Sequence, residues 1–255
     1  MATVRYDTIG QHYSQTRRED PQIGARIHGA LGNAKSVLNV GAGTGSYEPT
    51  DRHVLAIEPS DVMAAQRPFD RVPAIRASAT SLPLRDAAVD AAMAILTLHH
   101  WDDRERGVHE LLRVTRDRIV ILTYDPDVST RWWLITDYAP EIGEFDIAGF
   151  PPMDDLIRWL GEGAEIQTVP IPRDCRDWMS GSFWAHPERV LNADARAATS
   201  AFARLQESVV DRIVGDLSED LDSGAWDKRY GSLRGLEAYD TGLRLVTLSR
   251  GTRSV

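Results

Sequence analysis

Short apolar runs recur through the first half of the chain, each followed by a stretch long enough for a helix. Ser36–Val40 (SVLNV), His53–Ile57 (HVLAI) and residues 73–76, 89–98 (VDAAMAILTL) and 118–124 (RIVILTY) read as successive strands. Strands alternating with helix-length segments are the pattern of a mainly parallel sheet covered by helices. Ser60 is placed to cap a helix after the second strand. Asp102 or Asp103 would cap another running to about Thr115, with Val108, Leu111, Leu112 and Val114 on or near its apolar face.

Beyond Tyr124 the alternation breaks. Residues 125–152 are aromatic and read as loop; Met153–Leu160 reads as a helix ended by Gly161 and Gly163, and residues 164–171 as a sixth strand. Residues 173–240 are expected to be mostly helical, most clearly over 193–221, and 243–250 (LRLVTLSR) alternates as a last strand. Tryptophans 132, 133, 159, 178, 184 and 226 all lie after position 130. The second half is therefore either a second core or a cap over a substrate. No internal repeat interrupts this order.

Hydrophobic residues make up 42% of the 255 and charged residues 26%, which suits a large buried core and argues against disorder. Lys and Arg number 29 against 38 Asp and Glu, a formal net charge of −9. A dedicated nucleic-acid binder works by neutralising phosphates, so that balance disfavours one. No apolar run approaches the ~18 residues of a membrane span, and the polar start MATVRYDTIGQHYSQTRRED does not read as a secretory signal. A soluble, cytoplasmic protein is expected. Cys175 stands alone, which excludes an internal disulfide and a cysteine-built zinc site. Lys35 and Lys228 are the lysines among many arginines, a bias that a GC-rich coding sequence explains more simply than phosphate recognition does.

The first strand runs into Gly41-Ala42-Gly43-Thr44-Gly45. Glycine permits positive φ and removes the Cβ that would block a ligand, and open α/β sheets bind ligands at the carboxyl ends of their strands. Glu58 closes the second strand; a carboxylate there can accept hydrogen bonds from both hydroxyls of a ribose. A dinucleotide fingerprint would need glycine where Ser46 stands, and a phosphate loop would need Lys-Ser/Thr after Gly45, where Ser46-Tyr47 follows. The spacing describes a nucleoside, while two common nucleotide readings each lack a required residue.

Val37-Leu38-Asn39-Val40-Gly41-Ala42-Gly43-Thr44-Gly45 resembles the first motif of the class I S-adenosylmethionine-dependent methyltransferases. Ala56-Ile57-Glu58-Pro59-Ser60-Asp61-Val62-Met63 resembles their acidic second-strand motif, Ser81-Leu82-Pro83-Leu84-Arg85-Asp86 with Val89-Asp90 the approach to the fourth strand, and Leu98-His99-His100-Trp101-Asp102-Asp103 the segment after it. The subgroup resembled is that of the ubiquinone and menaquinone biosynthesis methyltransferases. Tyr6-Asp7-x-x-Gly10-x-x-Tyr13 is similar to a helix that folds over the cofactor there. The resemblance implies an α/β, Rossmann-like three-layer sandwich: a seven-stranded, mostly parallel sheet with an antiparallel last strand, plus a helical lid. Residues 1–125 would be the cofactor-binding core, 126–242 the acceptor side with the sixth strand and lid, and 243–255 the last core strand and tail.

Carried over residue by residue, the resemblance implies that Gly41, Ala42, Gly43, Thr44 and Gly45 border the methionyl part of S-adenosylmethionine and that Glu58 binds its ribose. Pro59, Ser60 and Met63 would flank ribose and adenine, Leu96 and Thr97 would line the methionine end, and Tyr13 and Arg17 would close the entrance. Ser78-Ala79 stands where many relatives carry Asp-Ala, so the adenine amino group would lack its usual acid. Asn39 replaces a common Asp and Ala88 a usual aromatic.

Methyl transfer from a sulfonium is an in-line displacement that depends on positioning and needs no metal. The His residues show no metal-ligand spacing, and Asp125 and Asp127 read as solvated turn acids. His99 and His100 are the candidate general bases, against a reading in which they only pack or bond backbone. Cys175 reads as packing rather than nucleophile. Tyr124, Trp132, Trp133 and Tyr138 follow the fifth strand, and Trp178, Phe183 and Trp184 follow the sixth. They are expected to wall a planar or lipophilic acceptor, against a reading as packing for the lid. The expected activity is methyl transfer to O, N or C of a small organic molecule. The alternative is a protein that keeps the fold and cofactor without methylating. Nucleic-acid or protein methylation is disfavoured, and no residue pattern indicates an oligomeric state.

Overall fold

The computed structural model describes residues 17–197 and 199–250. Its strands are β1 (Ser36–Val40), β2 (His53–Ile57), β3 (Ala74–Ile75), β4 (Val89–Ile95), β5 (Thr115–Tyr124), β6 (Ala164–Thr168), β7 (Ile171–Pro172), β8 (Ala238–Tyr239) and β9 (Leu243–Ser249). Seven of them form one sheet in the order β3-β2-β1-β4-β5-β9-β6. The first five are parallel, and β9 runs antiparallel between β5 and β6. The expected seven-stranded sheet with a reversed last strand is therefore present. β7 and β8 pair in a separate two-stranded ribbon.

The helices are α1 (Pro21–Ala30), α2 (Asp61–Ala65), α3 (Arg104–Val114), α4 (Pro126–Ser129), α5 (Pro140–Gly149), α6 (Met153–Leu160), α7 (Glu188–Leu191), α8 (Ala193–Ala197), α9 (Glu207–Asp222) and α10 (Ala225–Tyr230). Strand side chains alternate between faces. Val37, Met93 and Val120 meet Ile23 and Ile27 of α1 and Leu31, which caps its end, on one face. Leu38, Ala92 and Ile119 meet Leu111 of α3 and Leu156 of α6 on the other. The first of these clusters continues without interruption through Trp132, Trp133, Trp184 and Trp226 to Ile213 and Leu217 of α9. The segment between β5 and β9 is thus packed on the same core as the sheet.

Several boundaries differ from the sequence reading for local reasons. β4 stops at Ile95 because Leu96 takes φ +51, and Leu98–His100 coils into a 3-10 turn. Residues 125–152 are not a loop: they hold α4, a π-helical turn over Leu134–Tyr138, and α5. Asp125-Pro126 and Pro140 were the available start signals, since proline suits the first helical position. The sixth strand ends at Thr168, before Pro170, and the helix expected over 193–221 is split into α8 and α9 with a 3-10 turn at Phe202–Arg204 between them. α1 was not anticipated, although the Asp20 carboxylate caps it, accepting from the amides of Gln22 and Ile23, and Pro21 follows.

Candidate active site

The carboxyl ends of β1, β2 and β4 open into a cleft of about 600 Å³. Gly41 and Gly43 at its floor, and Gly45 just beyond it, hold φ of +71, +51 and +93. The amides of Gly41 and Ala42 both donate to the Ile57 carbonyl at 2.9 Å, fastening the turn to the end of β2. A β-carbon on Gly41 would lie 1.9 Å from Thr97 Oγ1, so the turn and the segment after β4 can approach only through glycine. Glu58 is buried, with Oε2 accepting from Gly43 N at 2.8 Å and Oε1 from Ser60 N at 2.9 Å. Those two bonds fix its carboxylate beside the glycine turn. Ser60 Oγ in turn accepts from Met63 N and caps α2.

An ion pair supports the turn from behind. Arg67 Nη2 donates to both oxygens of Glu48, at 2.9 and 2.8 Å, and Arg67 Nη1 donates to the Gly43 carbonyl at 3.1 Å. Asn39 Nδ2 donates to Glu48 Oε1 at 3.0 Å. An aspartate at position 39 would set two carboxylates against each other, so the amide there is matched to Glu48.

Of the residues expected around the nucleoside, Arg17, Gly41, Ala42, Gly43, Thr44, Glu58, Pro59, Met63, Ser78, Ala79, Leu96 and Thr97 line this cleft. Gly45 and Ser60 do not line it, and Tyr13 lies outside the described residues. The Ser78 hydroxyl is engaged locally, 2.9 Å from Thr80 Oγ1 and accepting from Thr80 N at 3.2 Å.

Arg17, Leu96 and His99 also border a second, inner cavity. Its apolar wall is made by Trp132, Ile135, Phe145 and Phe150, and its polar groups are Tyr124, Ser129, Asp146, Arg204 and Thr241. His99 therefore faces both spaces, while His100 lines the outer cleft alone. The two imidazoles lie 3.7 Å apart at 50°, and His99 packs 4.5 Å from Phe150. The Arg17 guanidinium is paired with the buried Asp177, which also accepts from the Tyr47 hydroxyl at 3.0 Å. Burial pushes the Tyr47 phenol well up, so it remains a donor.

Asp146, on α5, is half-buried by exposed area, yet protein surrounds its carboxyl closely enough that burial pushes it up to about 7. Ser129 Oγ, donating to Asp146 Oδ2 at 3.2 Å, and the Arg204 charge both oppose that rise. Burial also holds Tyr124 far above an ordinary phenol. Tyr124 Oη and Thr241 Oγ1 have no hydrogen-bond partner among the described residues. Both flank Gly181, where a β-carbon would sit 2.5 and 2.6 Å from them.

The aromatic residues divide. Tyr124 and Trp132 line the inner cavity, whereas Trp133, Tyr138, Trp178 and Trp184 line neither space. Trp133 is edge-on to Trp226 and Tyr138 and donates to the Trp184 carbonyl at 2.8 Å. Trp184 donates to the Ile171 carbonyl at 3.1 Å, Tyr138 bonds Asp220, and Trp178 carries the Arg189 guanidinium over its ring. Those four serve packing. Cys175 does too: its Sγ donates to the Asp177 carbonyl, and burial pushes the thiol up to about 12. Asp146 and Arg204 were missed by sequence reasoning; the one available signal was an acid inside the apolar stretch Phe145-Asp146-Ile147. Among the described residues no cluster of His, Cys, Asp and Glu could hold a metal, and no helix is long and apolar enough to cross a membrane.

Comparison with known proteins places this arrangement. Residues 38–121 match a family described as a methyltransferase domain. A solved structure from Anabaena variabilis, named as a methyltransferase from an antibiotic biosynthesis pathway, is 33% identical. It covers 92% of this chain and 99% of its own, with a TM-score of 0.85. An O-methyltransferase of Aspergillus nomiae is 33% identical over 44% of this chain and 53% of its own length. The tRNA (carboxymethyluridine(34)-5-O)-methyltransferase of Arabidopsis thaliana is 28% identical over 65% of this chain and 40% of its own length. The chain spans about half or less of the length of the curated relatives it matches.

 

Proposed function

This chain belongs to the class I S-adenosylmethionine-dependent methyltransferases, and we propose that it methylates a small organic molecule seated in the inner cavity. The observation that carries this reading is the shared wall: Leu96, His99 and Arg17 border both the outer cleft and the inner cavity. A donor bound outside and an acceptor bound inside would meet at that wall.

The donor set of the cleft fits S-adenosylmethionine. Glu58, already oriented by the amides of Gly43 and Ser60, holds the ribose hydroxyls, and the glycine turn admits the methionyl part without a Cβ in its way. Pro59 and Met63 flank the adenine, Ser78 and Ala79 stand at its edge, and Leu96 and Thr97 line the methionine end. When bound, the cofactor supplies an activated methyl group on a sulfonium. The chain's own contribution is to orient the acceptor and exclude water, which is where positioning gives roughly 7–11 kcal/mol of the barrier. His99, held between His100 and Phe150, shapes the passage between the two spaces.

Two of the curated relatives are named O-methyltransferases, which supports oxygen as the receiving atom. The similarity to tRNA methyltransferases favours a second reading, an RNA acceptor. The net charge of −9 weighs against it, since RNA binding rests on neutralising phosphates. The test is incubation with methyl-labelled S-adenosylmethionine and, in parallel, a mixture of small hydroxylated and amino compounds or total tRNA. Mass spectrometry should find label in the small compounds; label in tRNA alone would overturn the small-acceptor reading.

A further inference from the structure

Resting on the reading of the inner cavity as the acceptor site, we propose that Asp146 is the catalytic base there and that the acceptor is a planar ring carrying the hydroxyl it deprotonates. Three independent features of the cavity carry this.

The first is placement. Asp146 lies on α5 one turn before Gly149, and residues three apart share a helix face; Phe150 follows as the extended residue that ends the helix. Phe150 packs 4.5 Å from His99, and a β-carbon on Gly149 would lie 3.7 Å from that of His99. The face that carries Asp146 therefore abuts the wall shared with the cofactor cleft.

The second is shape and polarity. Trp132, Phe145 and Phe150 line the cavity, and aromatic walls suit a flat apolar body. Tyr124 Oη and Thr241 Oγ1 are buried without hydrogen-bond partners among the described residues, a costly arrangement unless a ligand supplies the bond. A ring with a second oxygen would satisfy them.

The third is protonation. Burial lifts the Asp146 carboxyl to about 7, close to the pH at which a general base is most effective. The groups facing it from neighbouring elements are Arg204, which pulls it down, Ser129, which donates to it, and Tyr124, which burial keeps protonated. Arg17 and His99 also border the cavity, Arg17 with its charge directed to Asp177. In the reaction the acceptor O–H bond breaks and its proton passes to Asp146. The electron pair left on oxygen forms the new O–CH3 bond, the C–S pair stays on sulfur, and the proton later leaves to water.

The experiment compares wild type, Asp146→Asn and Ser129→Ala with phenol, catechol and 2-naphthol, using aniline and thiophenol as controls without a hydroxyl. Methyl transfer is followed from pH 5 to 9, S-adenosylhomocysteine affinity by calorimetry, and ring binding by quenching of tryptophan emission by 2-naphthol. Wild type should methylate at least one hydroxylated ring, with a rate that rises to a plateau through about pH 7. Asp146→Asn should lower kcat about 100-fold or more, while quenching and S-adenosylhomocysteine affinity stay within about threefold. Ser129→Ala should move the pH midpoint upward, because the bond that stabilises the carboxylate is gone. Turnover of Asp146→Asn within about threefold of wild type with the same pH profile would overturn the assignment. So would methylation confined to aniline or thiophenol, or no ring bound or methylated. Failure of wild type to bind S-adenosylhomocysteine would instead remove the site reading on which the proposal stands.

Discussion

The hydroxyl of Tyr47 donates to Asp177 at 3.0 Å across 130 residues of chain. The same carboxylate pairs with Arg17, which borders both cavities, so the end of the glycine turn, the segment before α1 and the segment after β7 converge on one buried acid.

Removing that acid leaves Arg17 and Tyr47 without their shared acceptor. Asp177→Ala should cost about 3–5 kcal/mol, as breaking a buried ion pair does. Tyr47→Phe, which removes a single hydrogen bond, should cost about 1 kcal/mol. Urea unfolding of the two variants measures both; equal losses would show that the ion pair adds nothing to the hydrogen bond.

Glu58→Gln should weaken S-adenosylhomocysteine binding by about 10- to 100-fold, the loss expected for charge-assisted hydrogen bonds of about 1.5–3 kcal/mol. The amide also presents a donor to Gly43 N or Ser60 N, both of which donate to the carboxylate in this structure. Calorimetry reads the change directly, and unchanged affinity would take Glu58 out of the ribose site.

The tryptophans should separate by function. Trp184→Ala should cost about 3–5 kcal/mol, because the ring is fully buried, and leave the order of preferred acceptors as it was. Trp132→Ala should alter that order, because its ring borders the inner cavity. Urea unfolding together with a competition among labelled acceptors distinguishes them.

Stability should fall as pH rises through the range in which Asp146 ionises. Its folded pKa of about 7 lies above the unfolded value near 4, so between those values the folded state binds more protons than the unfolded state. Unfolding free energy then declines from about pH 4 to about pH 7 and is flat in this contribution above that. Unfolding of wild type and Asp146→Asn across pH 4–8 should show this decline in wild type and its absence in the variant.

The apolar runs and the glycine turn determined much of this protein from sequence alone. β1, β2 and α6 fall where the pattern puts them, and the turn from Gly41 to Gly45 lies beside Glu58 as its spacing implied. Those features are legible because they depend on neighbours a few residues apart: short apolar runs, positive φ, and the end of one parallel strand next to another. The inner cavity is of another kind. Tyr124, Asp146, Arg204 and Thr241 come from separate elements and meet only when the segment after β5 packs on the sheet. Trp132 and Trp133 are adjacent in sequence, yet one borders the cavity and the other is locked against Trp226. Composition could place aromatic rings near the site, but which ring faces the cavity and which fills the core depends on side-chain direction, fixed by packing of distant segments.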